Sequence, residues 1–306
     1  MPRKRKPKAP AAPKAEPIRI CYDREIDDFD RMRMAALAVD ENPANAPRAD
    51  LAEKAMVSPL GIAFLTNSLW KPGRLLKVFF MGGTASQRAK AKAAAGEIER
   101  AANLRFEWVN TAAESDLRIS FDSGSGAWSY IGVDSLGIPK SQATMNLGFD
   151  QGGTYVHEFL HAVGAVHEHQ HPEAGILWNE PAVYQSYSGS PNYWDRSTIK
   201  HNVIDRYSKT QTRYSSFDPL SVMLYPIDSR LTLNGFSSQW NTAMSTTDKE
   251  WLAKMYPAAD APPTGSLGGR VWVELSKDGK GFNINYEGRQ ASVRLLDGGK
   301  VEGTWS

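Results

Sequence analysis

Cysteine is nearly absent from this chain, which has one cysteine in 306 residues, at position 21. A lone cysteine excludes an internal disulfide and fits a reducing compartment. The chain also lacks an apolar run of the length that a membrane-spanning helix needs. The best candidate, residues 55–70, is interrupted by Ser58, Pro59, Thr66 and Asn67. We therefore expect no membrane span and no fold held by disulfides.

The first residues are Lys, Pro and Ala with almost no large apolar side chain, which predicts a disordered basic tail over residues 1–17. No apolar stretch follows this basic start, so we expect no cleavable secretory signal. Localisation stays open between the cytoplasm and export by a signal-independent route.

The run Arg3-Lys4-Arg5-Lys6 has the charge to bind nucleic acid or anionic lipid, but a solvated tail is the simpler interpretation. We do not expect a nucleic-acid partner.

The composition is that of a soluble globular protein, with 41% hydrophobic and 23% charged residues. Changes in composition along the chain predict its domain organisation. An N-terminal region of mixed character spans 18–70, a main domain 71–257, a Pro-rich linker 258–265 and a small β-rich module 266–306. The module contains strand candidates at 271–275, 282–286, 291–296 and 301–305. A piece of this size is marginal alone, so we expect it to pack on the main domain or on a partner.

Within the main domain, apolar periodicity predicts an α+β arrangement. A helix is expected from Thr84, which has Gln87 at the capping-box offset, to about Ala102. Another helix begins at a cap at Ser245 and ends before Pro257. The predicted strands are 75–81, 104–109, 117–121 and 144–147, and residues 122–142 are predicted to form a loop.

Residues 157–167 contain the most specific pattern of the chain. His157 and His161 are four residues apart, so on a helix both imidazoles lie on one face and converge on one point. Gly164 permits a positive φ and a sharp turn, after which His167 can return as a third nitrogen. Three neutral imidazoles leave one position of a tetrahedral zinc open, which is typical of a catalytic site. Glu158 is placed to reach a water molecule beside the metal.

A second motif, Ser221-Val222-Met223-Leu224-Tyr225, follows downstream. Together the two motifs resemble the metzincin clan of zinc endopeptidases, in which a long histidine motif is followed by a methionine-containing turn. Glu168 directly after the third histidine, and Tyr225 two residues after the turn methionine, are most similar to the astacin branch. The resemblance extends from about Leu75 to Pro257. The chain departs from astacins by having Leu224 where they usually have His, and by lacking their disulfide cysteines.

The resemblance implies a metzincin-type catalytic domain, with a twisted mixed sheet, a backing helix, an active-site helix and an irregular lower subdomain. It implies one catalytic zinc on His157, His161 and His167, with Glu158 as the general base of peptide-bond hydrolysis. It also implies that Tyr225 is a fifth zinc ligand that moves to bind the oxyanion. Gly164, Met223 and Glu168 are expected to have structural roles at the site. Protein or peptide substrates of this clan pair with a sheet edge, for which the candidates are Thr144, Met145, Asn146 and Leu147.

Cys21 raises the possibility of latency, because thiolate is a strong zinc ligand and some metzincins are inhibited by a prosegment cysteine. Residues 18–70 precede the first predicted strand and are therefore prosegment-like. Asp23 is a nearby carboxylate that could serve instead, and an ordinary buried cysteine is the third interpretation. The alternative to an active endopeptidase is a catalytically latent or non-enzymatic protein-binding module on the same scaffold. The oligomeric state is not predicted.

Overall fold

The computed structural model describes residues 19–24, 26, 28–46, 67–207, 216–258, 272–275, 281–286, 289–295 and 301–305. The predicted tail over 1–17, nearly all of the linker over 258–265 and part of the region 18–70 lie outside these residues. The helices are α1 (Asp28–Glu41), α2 (Ala85–Ala101), α3 (Thr154–Ala162), α4 (Glu180–Tyr187), α5 (Arg196–Ile199) and α6 (Thr246–Met255). Among the described residues, every helix is too short or too polar to traverse a lipid bilayer.

The main domain is built on a five-stranded mixed sheet. Its strands are β1 (Leu75–Phe80), β2 (Arg105–Trp108), β3 (Leu117–Ser120), β4 (Ala127–Ser129) and β5 (Met145–Leu147). Their spatial order is β2-β1-β3-β5-β4, and all neighbours are parallel except β4 and β5. The predicted mixed sheet with a backing helix and an active-site helix is confirmed.

Helix α2 covers the sheet because its sequence supplies both a start signal and one small apolar face. The Thr84 side chain accepts a hydrogen bond from the Gln87 amide, and the Gln87 side chain accepts one from the Thr84 amide, which forms the expected capping box. Ala91, Ala94 and Ile98 are buried on the inner side of the helix. Small side chains let α2 approach closely, and α3 packs beside it in the same hydrophobic core.

The predicted edge strand is wrong. Met145–Leu147 forms β5, which has β3 on one side and β4 on the other, so it is internal. The edge is β4, inside the segment predicted to be a loop. The side-chain amide of Asn146 explains the arrangement, because it donates to the carbonyls of Asp122 and Gly126 and folds the loop back onto β5. Strand β4 has only three residues, between Gly126 and Tyr130, and is too short to show a periodic pattern.

The region after α3 has low helix content, as expected, but it is not wholly irregular. Helix α4 starts at Glu180, and α5 continues into a π-helical turn over Lys200–Ile204. These elements surround a second hydrophobic core that contains Val183, Ile199 and Val203. Helices of four to eight residues have only weak apolar periodicity, so the sequence does not predict them.

The four predicted C-terminal strands are confirmed. They are β6 (Trp272–Leu275), β7 (Gly281–Tyr286), β8 (Arg289–Leu295) and β9 (Val301–Trp305), which pair antiparallel in sequence order. Strands β6 and β7 lie beside α1. The module therefore contacts the N-terminal region of the same chain, whereas we expected it to pack on the main domain or on a partner.

Residues 67–70 link the N-terminal region to the main domain through backbone contacts. The carbonyl of Ser68 accepts a hydrogen bond from the Val133 amide at 2.9 Å, and its hydroxyl donates to Asp134 Oδ1 at 2.8 Å. The indole of Trp70 donates to the Ala162 carbonyl at the end of α3. Gly132 permits this close approach, because a Cβ at this position would lie 1.7 Å from the Ser68 carbonyl oxygen.

We predict that Gly132→Ala destabilises the fold through this backbone clash. Gly235→Ala is a matched control, because both glycines have positive φ but a Cβ at Gly235 would have no neighbouring atom within 4 Å. The control should lose only the cost of left-handed backbone, about 1 kcal/mol. Gly132→Ala should lose about 1–3 kcal/mol more, measured by chemical denaturation of both variants and the parent. Equal losses in the two variants would show that residues 67–70 move aside at no cost.

Asp134 should make the stability depend on pH. Its carboxyl is buried, and burial raises the pKa from 3.8 to about 6, although the Ser68 hydroxyl and Arg31 oppose the shift. The folded state therefore binds the proton more tightly than the unfolded state, so stability falls as pH rises through the folded pKa. Asp134→Asn removes this loss and should be up to ~3 kcal/mol more stable than the parent above about pH 7, with a smaller difference near pH 4. A pH-independent difference between the two proteins, measured by denaturant unfolding, would contradict this assignment.

Candidate metal centre

Helix α3 and the turn that ends it bring together the three predicted zinc ligands. His157 and His161 lie on one face of the helix, and all nine residues of the helix are buried. Gly164 has φ +98°, a conformation that favours glycine, and a Cβ there would lie 2.7 Å from the Leu69 side chain. Both the backbone conformation and the lack of space therefore require glycine at this turn. The chain then reverses, and His167 returns to the open side of the two helical histidines.

The donor atoms converge as predicted. The Nε2 atom of His161 lies 3.1 Å from the Nε2 atoms of both His157 and His167. Cys21 Sγ lies 2.8 Å from His157 Nε2 and 3.1 Å from His167 Nε2. The four donors are all buried and within 4.8 Å of one another. One ion with Zn–N distances of about 2.0–2.1 Å and a Zn–S distance of about 2.3 Å fits such a group.

The protonation states of the histidines also fit a metal. The Nδ1 atoms of His157 and His161 lie 2.8 Å from the carbonyl oxygens of Val222 and Ala165, so each donates there and leaves Nε2 free as a ligand. Burial and then the neighbouring histidines lower the pKa of His157, and burial lowers the pKa of His161 to about 4. Both imidazoles are therefore neutral, as coordination requires.

The environment of Cys21 disfavours a free thiolate unless a cation is present. Burial, followed by the charges of Glu158 and Asp23, raises the pKa of the Cys21 thiol. A bound divalent cation reverses this effect, because a coordinating thiol loses its proton. The thiol thus matches the fourth donor of a closed, four-coordinate site.

Glu158 lies beside the donors but makes none of the contacts expected of a structural carboxylate. The residue is fully buried, and neither of its carboxylate oxygens has a hydrogen-bond partner. Burial and the charge of Asp23 raise the pKa of this carboxyl. A buried, unpaired carboxylate is costly, so its position next to a metal group indicates a role in chemistry.

Tyr225 adjoins this group without belonging to it. Its hydroxyl lies 3.8 Å from Cys21 Sγ and donates a hydrogen bond to the main-chain carbonyl of Cys21. Its ring packs against His167 and His169, with centroids 4.4 and 4.1 Å apart. His169 follows the third ligand closely in sequence, but its Nε2 lies 2.8 Å from the Asn202 carbonyl and is engaged there.

The Met turn, residues 221–225, supports the site mainly through its backbone. The Val222 carbonyl orients His157, while the Met223 side chain is buried in the core beneath the site. Asp248 completes the capping box of α6 with Ser245, and its carboxylate also accepts hydrogen bonds from the Ser221 hydroxyl and the Val222 amide. No local signal distinguishes this second role, because the partners lie in different elements.

Glu168 connects the third histidine to the lower part of the domain. Its amide donates to the Met223 carbonyl, and its carboxylate accepts from the Asp218 amide at 2.7 Å. Burial raises the pKa of this carboxyl to about 7. The residue also lines a cavity of about 400 Å³ together with Ser68 and Trp251.

Residues 19–24, hereafter the cleft segment, lie along the edge of the sheet. The Tyr22 amide donates to the Ala127 carbonyl of β4 at 3.2 Å. The Arg24 guanidinium lies 4.5 Å above the Trp128 ring, also on β4. The true edge strand is therefore occupied by this chain's own N-terminal region, and that contact delivers Cys21 to the metal group.

Comparisons with known proteins agree with this geometry. The sequence profile of the family described as Astacin (Peptidase family M12A) matches residues 65–255. A solved structure of myroilysin is 41% identical, with a TM-score of 0.59, and the match covers 62% of this chain and 96% of that one. A second, a crystal structure of myroilysin, is 40% identical with a TM-score of 0.50, covering 62% and 86%.

A curated relative, Blastula protease 10 from Paracentrotus lividus, is 27% identical over 182 residues. The match covers 58% of this chain and 28% of that protein, so the chain spans little more than a quarter of its length. The expected fold class and the resemblance to astacins are confirmed by the family profile and by the solved structures. The chain belongs to the astacin family, peptidase family M12A, a family of zinc metalloendopeptidases.

Proposed function

We propose that this chain is a zinc endopeptidase in a latent form, in which Glu158 is the general base and Cys21 fills the position where substrate chemistry takes place. One observation carries the proposal: Cys21 Sγ lies among the three histidine Nε2 atoms, beside a Glu158 carboxylate without a partner. The region 18–70 then acts as a prosegment, and 71–257 as the catalytic domain.

His157, His161 and His167 hold the metal through their inner nitrogens. When bound, zinc supplies a Lewis acid that lowers the pKa of a water molecule to about 7 and polarises a peptide carbonyl. Glu158 accepts the proton of the attacking water and returns it to the leaving amine nitrogen.

Tyr225 stabilises the carbonyl oxygen of the substrate as negative charge develops on it. In this structure its hydroxyl donates to the Cys21 carbonyl, so a main-chain carbonyl fits this position. A peptide substrate pairs with β4, where the Ala127 carbonyl now accepts from Tyr22. The cleft segment thus makes the contacts that a substrate needs.

We expect Cys21→Ser to raise the activity of the full-length chain by ~10-fold or more, because the tethered thiolate has a high effective concentration at the metal. The measurement is casein hydrolysis by zinc-loaded parent and variant. A mercurial reagent should activate the parent to a similar degree and leave the variant unchanged, since Cys21 is the chain's single thiol. Equal activities, with Cys21 freely alkylated in the zinc-loaded parent, would make it an ordinary cysteine.

In the Cys21→Ser background, Glu158→Gln should keep about one zinc per chain while casein hydrolysis falls by ~10²–10⁴-fold. The reason is that the substitution removes the base but no ligand. Glu114→Gln, at an exposed carboxylate, is the matched control and should retain full activity. Metal analysis and unfolding curves verify that the variants are folded and loaded. Residual activity close to that of the control would mean that another group accepts the proton. Lack of hydrolysis by the loaded Cys21→Ser chain itself would favour a non-enzymatic binding module.

A further inference from the structure

The cleft segment presents two functional side chains to the metal group. In extended backbone, alternate residues point to the same side. Cys21 and Asp23 are both buried at the histidines, whereas Arg24 is exposed and lies over Trp128 of β4. Latency as proposed above uses Cys21 and leaves the Asp23 carboxylate without a role.

The outer nitrogens of the three histidines have two different surroundings. His157 Nδ1 and His161 Nδ1 lie on backbone carbonyls of the catalytic domain, each at 2.8 Å. His167 Nδ1 makes no hydrogen bond and faces the Asp23 carboxylate, with Oδ2 at 3.3 Å. The acceptor within reach of the third histidine therefore belongs to the N-terminal region and not to the domain that contains His167.

Asp23 is held firmly enough to perform this role. The residue is 5% exposed, and its amide donates to Asn202 Oδ1 at 2.6 Å. The Tyr207 hydroxyl lies 3.4 Å from Asp23 Oδ2 and donates to it. These contacts are made to a different part of the domain from the zinc helix, so they position the carboxylate independently of His167.

We infer that Asp23 is a positioning residue for His167: in the zinc-loaded chain its carboxylate accepts a hydrogen bond from Nδ1–H, fixes the tautomer that offers Nε2 to the metal, and slows the loss of zinc. The inference rests on the proposed zinc site. A carboxylate on the outer nitrogen of a ligand histidine strengthens the ligand and restrains its ring. The cleft segment then acts at two points: the Cys21 thiolate binds the metal, and the Asp23 carboxylate binds the outer nitrogen of His167. Its removal frees the catalytic position and also weakens the hold on zinc.

Direct coordination of the metal by Asp23 is the competing explanation. Asp23 Oδ1 lies 3.7 Å from His161 Nε2 and has no hydrogen-bond partner. However, Asp23 is not part of the group of four donors that lie within 4.8 Å of one another. The shorter of its two histidine contacts is to the outer nitrogen of His167, which favours the positioning role.

The test measures the rate at which zinc is released to a chromogenic chelator from the full-length, zinc-loaded chain. In the Cys21→Ser background, where the thiolate contributes nothing, Asp23→Ala should release zinc ~10–100-fold faster. Asp23→Asn should have a smaller effect, because its neutral amide oxygen can still accept a hydrogen bond from His167 Nδ1–H but carries no charge. Arg24→Ala is the matched control: it removes a contact between the cleft segment and Trp128 of β4 but leaves Asp23 and His167 untouched, so release should stay near that of the background.

An unchanged release rate in Asp23→Ala, in both the Cys21→Ser and the parent backgrounds, would overturn the inference. A rate in Arg24→Ala as fast as in Asp23→Ala would also overturn it, because Asp23 would then act only by anchoring the segment. The visible spectrum of the Co²⁺-loaded chain separates the competing explanation. The cobalt bands should keep their intensity in Asp23→Ala, and a change of coordination number would show direct ligation instead. If the chain failed to bind zinc at all, the proposed function would fail. If the chain bound zinc tightly and the release rate did not change in Asp23→Ala, only this inference would fail.

Discussion

The hydrogen bonds on the outer nitrogens of His157 and His161 are the contacts on which the rest of the proposed zinc centre depends. A buried imidazole coordinates a metal only when it is neutral and in one tautomer. The Val222 carbonyl imposes that state on His157, and Val222 is itself held through its amide by Asp248 of α6. The metal centre is therefore linked to a turn and a helix far along the chain, and a change at Asp248 reaches the metal through the backbone.

Burial gives the site its chemistry and also makes it expensive to fold. Glu158 is buried without a hydrogen-bond partner, and the donor atoms of three imidazoles and a thiol lie within 4.8 Å of one another. Desolvating such groups costs several kcal/mol each unless a charge compensates. A divalent cation at the donors supplies that compensation, because it favours the thiolate and the ionised carboxylate. Metal binding and folding are thus coupled in this domain, and its most costly residues are those with proposed roles in catalysis.

The cleft segment uses the same groups that we propose bind the substrate. Its Tyr22 amide donates a hydrogen bond to the Ala127 carbonyl of the edge strand, and its Cys21 carbonyl accepts one from the Tyr225 hydroxyl. In the latent form that we propose, inhibition and substrate binding therefore compete for one set of contacts. Because the segment belongs to the same chain, its local concentration is high, and it can stay bound beside β4 without a large interface.

Much of this protein was predictable from sequence because the relevant signals are local. The spacing of His157 and His161, the glycine at 164 and the capping box at Thr84 act within one or two helical turns, so they predicted the zinc helix and α2 directly. Only the tertiary structure decided that β4 and not β5 forms the sheet edge, that backbone carbonyls orient two ligands, and that Asp23 faces the third. Those outcomes depend on contacts between residues far apart in the chain, for which neither periodicity nor spacing carries a signal. They are settled only when distant segments pack and each buried polar atom must find a partner.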